Sequence, residues 1–164
     1  MSSVIRILIA EDDSELFEVC RKRFSSASDC EVVGHVHNGR EVIAAVERLR
    51  PDILTIDRES PGIGGLEILP VIRWCSPNTK VIVLSGCDDE ATVLEALDLG
   101  ARGYIVKDDG IDMIKVVRAV QRGEVWARRR VVARLLDRLV CLASLAFQEE
   151  GEFAPAPCFV KPIQ

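Results

Sequence analysis

The chain alternates short, continuously apolar runs with longer segments whose apolar residues recur at helical spacing. Five runs are rich in Val, Ile and Leu: residues 4–10 (VIRILIA), 31–36 (EVVGHV), 52–57 (DILTID), 80–86 (KVIVLSG) and 103–107 (GYIVK). The segments between them place apolar residues on one helical face, as Leu16, Val19, Cys20 and Phe24 do in the first. This order predicts five strands that alternate with five helices. Continuously apolar strands are typical of a parallel sheet covered by helices on both faces.

The composition is that of a folded protein, with 48% hydrophobic and 29% charged residues among 164. No apolar run approaches the roughly 20 residues needed to cross a bilayer, and the N-terminus lacks a signal-peptide pattern, so a cytoplasmic protein is expected. The six cysteines form no CxxC pair and only two histidines are present, which predicts neither a zinc site nor a redox motif. The net charge of −5 argues against a nucleic-acid surface on the main body.

Polar side chains follow four of the five predicted strands at the point where each strand ends. They are Glu11 and Asp12 after the first strand, Asp57 at the end of the third, Ser85 at the end of the fourth and Lys107 after the fifth. Binding and catalytic sites of open α/β sheets lie in the crevice outside the carboxyl ends of the strands, so we expect these side chains to lie close together. Each of them alone has a simpler explanation as a helix cap, a turn residue or a solvated strand end. Their joint placement favours a site.

The residue types in this set suit phosphoryl chemistry. Clustered carboxylates repel one another and need a counter-charge. Mg²⁺ takes one or two carboxylates together with phosphate oxygens and waters. Lys107 adds a fixed positive charge and Ser85 a hydroxyl donor, so the set predicts a carboxylate that attacks phosphorus while its neighbours stabilise the phosphoryl oxygens.

The motifs ILIAEDD, DILTIDRESPGIGGLE, VIVLSG and GARGYIVKD occur in the order and spacing of a known family. Over about residues 4–123 the chain resembles the receiver domain of two-component response regulators. The resemblance implies a flavodoxin/CheY-like fold, with a five-stranded parallel sheet in the order 2-1-3-4-5 flanked by five helices. It implies that a sensor histidine kinase or phosphotransfer protein phosphorylates Asp57, and that Mg²⁺ is held by Glu11, Asp12, Asp57 and the main-chain carbonyl of Glu59.

The same resemblance implies that Ser85 and Lys107 contact the phosphoryl group and that Tyr104 is the aromatic residue that moves when Ser85 is drawn inward. Such a protein would catalyse only its own Mg²⁺-dependent phosphorylation and dephosphorylation. Ser60 stands where the family usually has methionine, and Gly64 replaces a common acid; we expect both to lie outside the chemistry. The Glu59 side chain is expected near the phosphoryl group, where it would either orient or repel an attacking water.

We expect a receiver domain over residues 1–125, an amphipathic helical extension over 126–147 and a flexible tail over 148–164. The stretch GEVWARRRVVARLLDRL resembles the linker of regulators with a LuxR-type helix-turn-helix domain, but too few residues follow Trp126 for that domain, so DNA binding is not expected of this chain alone. An apolar stripe along this helix would either pack on the receiver domain or form the seam of a homodimer. The homodimer seam is the favoured interpretation. The stripe consists of Val131, Leu135, Leu139, Leu142 and Ala146. The arginines at 128–130 are expected to form a solvated face.

Four function classes remain open from the sequence. The leading one is a phosphorylation-controlled switch that acts through a protein-interaction or dimerisation surface, whether the homodimer forms through the C-terminal helix or a receiver face. A haloacid-dehalogenase-like phosphohydrolase would place its nucleophile on the first strand, whereas the candidate here, Asp57, ends the third. A truncated DNA-binding regulator of the LuxR-type class requires a longer chain. A degenerate receiver used only for docking requires a defective pocket, whereas every pocket residue is present.

Overall fold

The five apolar runs form one parallel sheet, in a computed structural model that describes residues 3–149. The strands are β1 (Ile5–Ala10), β2 (Cys30–Val36), β3 (Ile53–Asp57), β4 (Lys80–Ser85) and β5 (Gly103–Val106). Their spatial order is β2-β1-β3-β4-β5, and all neighbouring pairs are parallel. The predicted fold class is therefore confirmed. The expected tail at 148–164 lies outside the described residues except for its first two positions.

Six helices accompany the sheet within the described part of the chain. They are α1 (Ser14–Ser25), α2 (Gly39–Leu49), α3 (Leu69–Cys75, preceded by a 3-10 helix Gly65–Ile68), α4 (Glu90–Asp98), α5 (Met113–Gln121) and α6 (Arg129–Glu149). One apolar cluster joins α1 and α5 to one face of the sheet, and another joins α2, α3 and α4 to the opposite face. Both faces are thus covered, which explains why the strands are apolar without alternation. None of the helices in residues 3–149 is long and apolar enough to cross a membrane.

The segment after α5 stays attached to the receiver. Trp126 forms a parallel bridge with Gly103 of β5, the edge strand. Its main-chain oxygen accepts a hydrogen bond from the Tyr104 N–H (2.9 Å), and its own N–H donates to the Arg102 carbonyl (2.9 Å). Val131, at the start of α6, is 0% exposed and belongs to the core cluster on the α4 side of the sheet.

The two halves of α6 have different surroundings. In the first half Val131 and Leu135 pack on the receiver's own core, as the own-domain interpretation of the stripe requires. In the second half Leu139 and Leu142 are exposed, together with Val140 and Phe147. The start of the stripe is therefore an intramolecular contact, and the exposed large apolar side chains of α6 begin at Leu136.

The arginines around α6 are at least half exposed where they form ion pairs, as the solvated face expected at 128–130 requires, but they also contact the receiver. They pair with acids at and just before α4: Arg128 with Asp88, Arg130 and Arg134 with Glu90, and Arg138 with Asp98. The sequence missed these pairs because the partners lie about forty residues apart and no local periodicity connects them. The arginine side chains remain at least half exposed, so each pair stabilises the contact only modestly.

Val131 should contribute more to the attachment of α6 than any single arginine does. We expect Val131→Ala to lower the free energy of unfolding by about 2 kcal/mol, because it removes two buried methyl groups and leaves a small cavity. Arg134→Ala should change it by less than about 1 kcal/mol, because its ion pair is exposed. Urea unfolding of the two variants beside the wild type measures both values, and an equal loss in the two would contradict this ranking.

Candidate functional site

Four neighbouring strands bring the predicted site residues to one edge of the sheet. β1, β3, β4 and β5 are adjacent in that order, so their carboxyl ends form a continuous rim. Glu11 and Asp12 follow β1, and Asp57 is the last residue of β3. Ser85 ends β4, and Lys107 comes directly after β5. All five side chains lie at this rim, and the contacts below connect them.

Asp57 is buried, with 2% of its surface exposed, and is held from two sides. One carboxylate oxygen accepts a hydrogen bond from the Glu59 main-chain N–H (2.9 Å). The other lies 2.5 Å from the Lys107 Nζ. Burial alone would lower the pKa of Lys107, but hydrogen bonds and charge interactions with Asp57 and Glu59 raise it above its usual value. The ammonium therefore stays charged and fixes the carboxylate in place.

Glu11 and Asp12 form the acidic end of the site. Glu11 is buried, with 3% of its surface exposed. Burial, and after it contact with Asp57, raises the pKa of Glu11 to about 7. Asp12 is exposed, and hydrogen bonding, chiefly with Ser60, lowers its pKa. No lysine, arginine or histidine among residues 3–149 forms an ion pair with either acid.

A divalent cation would fit this end of the site. Like charges gathered in a buried place raise a carboxyl pKa, and a cation beside them relieves the repulsion. In residues 3–149 no group of three acidic, imidazole or thiol side chains forms a preformed cage. Mg²⁺ commonly uses only one or two protein carboxylates and completes its shell with waters and phosphate oxygens. The donor chemistry of Glu11, Asp12 and Asp57 thus matches a hard cation of this kind.

The expectation that Ser60 lies outside the chemistry is wrong. Its hydroxyl oxygen lies 2.6 Å from a carboxylate oxygen of Asp12 and 3.0 Å from one of Glu11, and it accepts a hydrogen bond from the Asp12 N–H (3.2 Å). A hydroxyl has one proton, so it donates to one of the two acids at a time. Ser60 therefore orients the acidic pair, a role that methionine at this position would not perform.

The Glu59 side chain makes more contacts at this rim than the sequence predicted. One carboxylate oxygen accepts hydrogen bonds from the Ser85 hydroxyl (2.6 Å) and the Gly86 N–H (3.1 Å). The other lies 3.2 Å from the Lys107 Nζ. From the sequence, Glu59 was expected near the phosphoryl group, with an effect only on an attacking water. Because β3 and β4 are neighbours, a long acidic side chain two residues after Asp57 can reach the end of β4. The contact with Ser85 could therefore have been predicted from the strand order.

Ser85 and Tyr104 are connected through one residue. Ser85 is 0% exposed, and its hydroxyl oxygen accepts a hydrogen bond from the Cys87 N–H (3.0 Å) while the hydroxyl donates to Glu59. Tyr104 is 5% exposed, and its hydroxyl donates to the Cys87 carbonyl (2.8 Å). A displacement of Ser85 would therefore pull on the main chain that Tyr104 contacts.

The comparison with protein families decides what this site belongs to. The family model described as the response regulator receiver domain matches residues 7–120. The chain belongs to the response regulator receiver family. The receiver identified from the sequence motifs is thus confirmed, and with it the assignment to two-component signalling. A receiver is a phosphoryl-accepting signalling module rather than a metabolic enzyme.

Several proteins are similar to this receiver over most of its length. The transcriptional regulatory protein YxjL of Bacillus subtilis is 32% identical over 134 residues, which are 81% of this chain and 62% of YxjL. The nitrate/nitrite response regulator NarL of Escherichia coli is 35% identical over 72% of this chain and 55% of NarL. The chemotaxis protein CheY of Thermotoga maritima is 36% identical over 62% of this chain and 84% of CheY. The receiver thus spans about three fifths of the length of YxjL.

Solved structures match the same fold. The signal receiver domain of NarL from Mycobacterium tuberculosis superimposes with a TM-score of 0.70 at 25% identity, over 74% of this chain and 99% of that one. The isolated receiver domain of RcsB from Salmonella enterica, solved in the presence of the phosphomimetic BeF₃⁻, gives a TM-score of 0.70 at 25% identity over 81% of this receiver and 99% of that domain. These matches show that the chain has the fold of solved receiver domains.

Proposed function

We propose that this receiver takes a phosphoryl group onto Asp57 from a phosphohistidine of a sensor histidine kinase or phosphotransfer protein. A carboxylate oxygen of Asp57 attacks phosphorus, the phosphorus–nitrogen bond of the donor breaks, and the departing imidazole takes up a proton. The observation that carries the proposal is the buried Asp57 carboxylate held 2.5 Å from the Lys107 ammonium. This nucleophile has a fixed direction and a counter-charge on one side.

Each neighbouring residue has a distinct part in the transfer. Lys107 neutralises one phosphoryl oxygen, and the Ser85 hydroxyl donates to another. Glu11, Asp12, Asp57 and the main-chain carbonyl of Glu59 would hold Mg²⁺, which would supply positive charge against the negative phosphoryl oxygens. Ser60 keeps Glu11 and Asp12, the two acids after β1, in position for the cation. The same residues catalyse loss of the phosphoryl group to water, so the protein acts on itself alone.

The output of the switch runs through the β4–α4 loop and α6. Tyr104 contacts Cys87 in that loop, and the following Asp88 pairs with Arg128. A phosphoryl group that draws Ser85 inward would therefore act on the segment to which α6 is attached. The exposed apolar residues of the second half of α6, Leu139, Val140, Leu142 and Phe147, would form the homodimer seam.

We place the protein in the cytoplasm, with residues 1–125 as receiver and 126–147 as helical extension.

Transcriptional control is the second candidate function. YxjL is named as a transcriptional regulatory protein, and an RcsB chain similar to this one has been solved in complex with DNA. The receiver covers 62% of YxjL and 68% of that RcsB chain. A gel-shift titration of the full-length gene product, with and without phosphorylation, tests this role. Binding at physiological salt would support it, and the absence of binding would leave protein contacts as the output.

Acetyl phosphate and intact-mass spectrometry test the proposed function directly. We expect the wild type with Mg²⁺ to gain one phosphoryl group, and we expect no gain in Asp57→Asn or in the presence of EDTA. Asp109→Asn is the matched control, because Asp109 is exposed near the site and its loss should leave the gain intact. No gain in a folded wild type would contradict the proposal and favour a receiver that serves only for docking.

A further inference from the structure

The Glu59 carboxylate lies where an incoming phosphoryl group needs its donors. The groups proposed to hold phosphoryl oxygens are the Ser85 hydroxyl and the Lys107 ammonium, and both are engaged by Glu59, at 2.6 and 3.2 Å. The Gly86 N–H, beside Ser85 in the chain, also donates to Glu59 (3.1 Å). The three donors approach from the ends of two neighbouring strands, β4 and β5, and together form an anion cradle (Ser85, Gly86, Lys107).

Both carboxylate oxygens of Glu59 are engaged in this cradle. One accepts from the Ser85 hydroxyl and the Gly86 N–H, and the other lies beside the Lys107 ammonium. Charge-assisted hydrogen bonds of this type are shorter and stronger than neutral ones. A carboxylate and a phosphoryl group both present oxygen acceptors with negative charge, so the same donors serve either of them.

The rest of the switch is arranged around the occupied cradle. Ser85 donates to Glu59 and accepts from Cys87, so the one proton of its hydroxyl is already engaged. Tyr104 is buried and donates to the Cys87 carbonyl. This inward arrangement of Ser85 and Tyr104 is the one expected after phosphorylation, although the anion in contact with Ser85 here is the protein's own.

We propose that the Glu59 carboxylate is an internal surrogate for the phosphoryl group: it occupies the anion cradle of Ser85, Gly86 and Lys107, and it competes with the phosphoryl group for that cradle. The inference rests on the proposed function, because it concerns the same donors. Two consequences follow. Glu59 has to leave the cradle before a phosphoryl group can use it, which lowers the affinity for phosphoryl-like anions. Until then it holds Ser85 and Tyr104 inward, so phosphorylation changes the switch less than it would in a chain without this acid.

Beryllofluoride with Mg²⁺ is the probe for the competition. We expect Glu59→Gln to bind beryllofluoride about tenfold more tightly than the wild type. The charge-assisted hydrogen bonds of Glu59 that compete with the probe are taken as worth about 1.4 kcal/mol, which corresponds to a factor of ten in affinity. Asp109→Asn removes the same charge near Lys107 without touching the cradle and should leave the affinity within about twofold. The fluorescence of Trp126 reports binding in a Trp74→Phe background, because Trp126 lies beside Tyr104 while Trp74 is at the surface.

A second measurement separates the cradle from a general charge effect. In Ser85→Ala the cradle loses one donor, so the gain from Glu59→Gln should shrink in that background, as a coupled pair requires. In EDTA without beryllofluoride, Glu59→Gln should shift the Trp126 signal, because Ser85 and Tyr104 are released. When beryllofluoride and Mg²⁺ are added in a separate titration, the Trp126 fluorescence of the wild type should change less than that of Glu59→Gln.

The outcomes divide cleanly. Tighter binding by Glu59→Gln with an unchanged Asp109→Asn supports the surrogate role. An unchanged or weaker affinity, an equal gain in Asp109→Asn, or a Trp126 signal in EDTA that does not respond to Glu59→Gln would each overturn it. If the wild type neither binds beryllofluoride nor accepts a phosphoryl group, the proposed function itself fails, and the measurement in EDTA still decides whether Glu59 holds the switch inward.

Discussion

Replacement of Lys107 by alanine should slow the phosphorylation of Asp57 by acetyl phosphate by about a hundredfold or more. The reason is electrostatic: Lys107 is the ammonium in contact with Asp57 and Glu59, and removal of a preorganised donor to a transferring group costs roughly 10²–10³ in rate. The loss should appear in the rate at saturating Mg²⁺, because the proposed cation ligands are other residues. Rapid-quench mass spectrometry gives the rate.

Two variants make the Lys107 result specific. Lys107→Arg keeps the charge but changes its shape and reach, so we expect an intermediate rate. Lys115→Ala removes an exposed lysine from α5 and should leave the rate within about twofold. A Lys107→Ala protein that is folded and phosphorylated at the wild-type rate would show that the cation at the acidic end supplies all of the neutralisation.

Replacement of Glu11 by glutamine should stabilise the metal-free protein at alkaline pH by about 3 kcal/mol. Burial and contact with Asp57 raise the pKa of Glu11 in the folded state from 4.5 to about 7. Between these values the folded chain holds a proton that the unfolded chain has released. The free energy of unfolding of the wild type therefore falls as the pH rises through this window, by about 1.4 kcal/mol for each unit of pKa difference. Glutamine has no proton to lose and avoids this decrease.

Urea unfolding in EDTA at pH 5, 6, 7 and 8 measures the effect. The difference between Glu11→Gln and the wild type should be small at pH 5 and should grow up to pH 8. Added Mg²⁺ should stabilise the wild type and not the variant, because only the wild type keeps the acidic pair. Glu15→Gln, in the exposed first turn of α1, should show no pH-dependent difference. A constant difference across all four pH values would contradict the raised pKa of Glu11.

The positions of Asp57, Ser85 and Lys107 could be predicted because they depend on sheet-wide rules. Apolar runs identify the strands, and the ends of parallel strands meet at one edge, so residues far apart in sequence were correctly placed together. The order of the strands came from the family motifs rather than from periodicity. The placement of these residues at one edge needed only which residue ends each strand and not the path of any loop.

The contacts of Ser60 and of the Glu59 side chain could not be predicted in the same way. Both residues lie in the loop after β3, and their contacts depend on how that loop turns back toward β1 and β4. The arginine contacts of α6 escaped for a related reason: α6 pairs with α4, and nothing in either helix alone specifies the other. Long-range polar contacts of this type leave no periodic trace in a sequence, in contrast to the burial of an apolar face.

The bridge between Trp126 and Gly103 has a consequence for solubility. β5 is the last strand of the sheet, and an uncovered edge presents unpaired N–H and C=O groups that can recruit a strand from another molecule. Here the Tyr104 N–H and the Arg102 carbonyl are already bonded to Trp126. The residues that lead into α6 thus cover the edge of β5. A chain cut before Trp126 would leave that edge uncovered and open to aggregation.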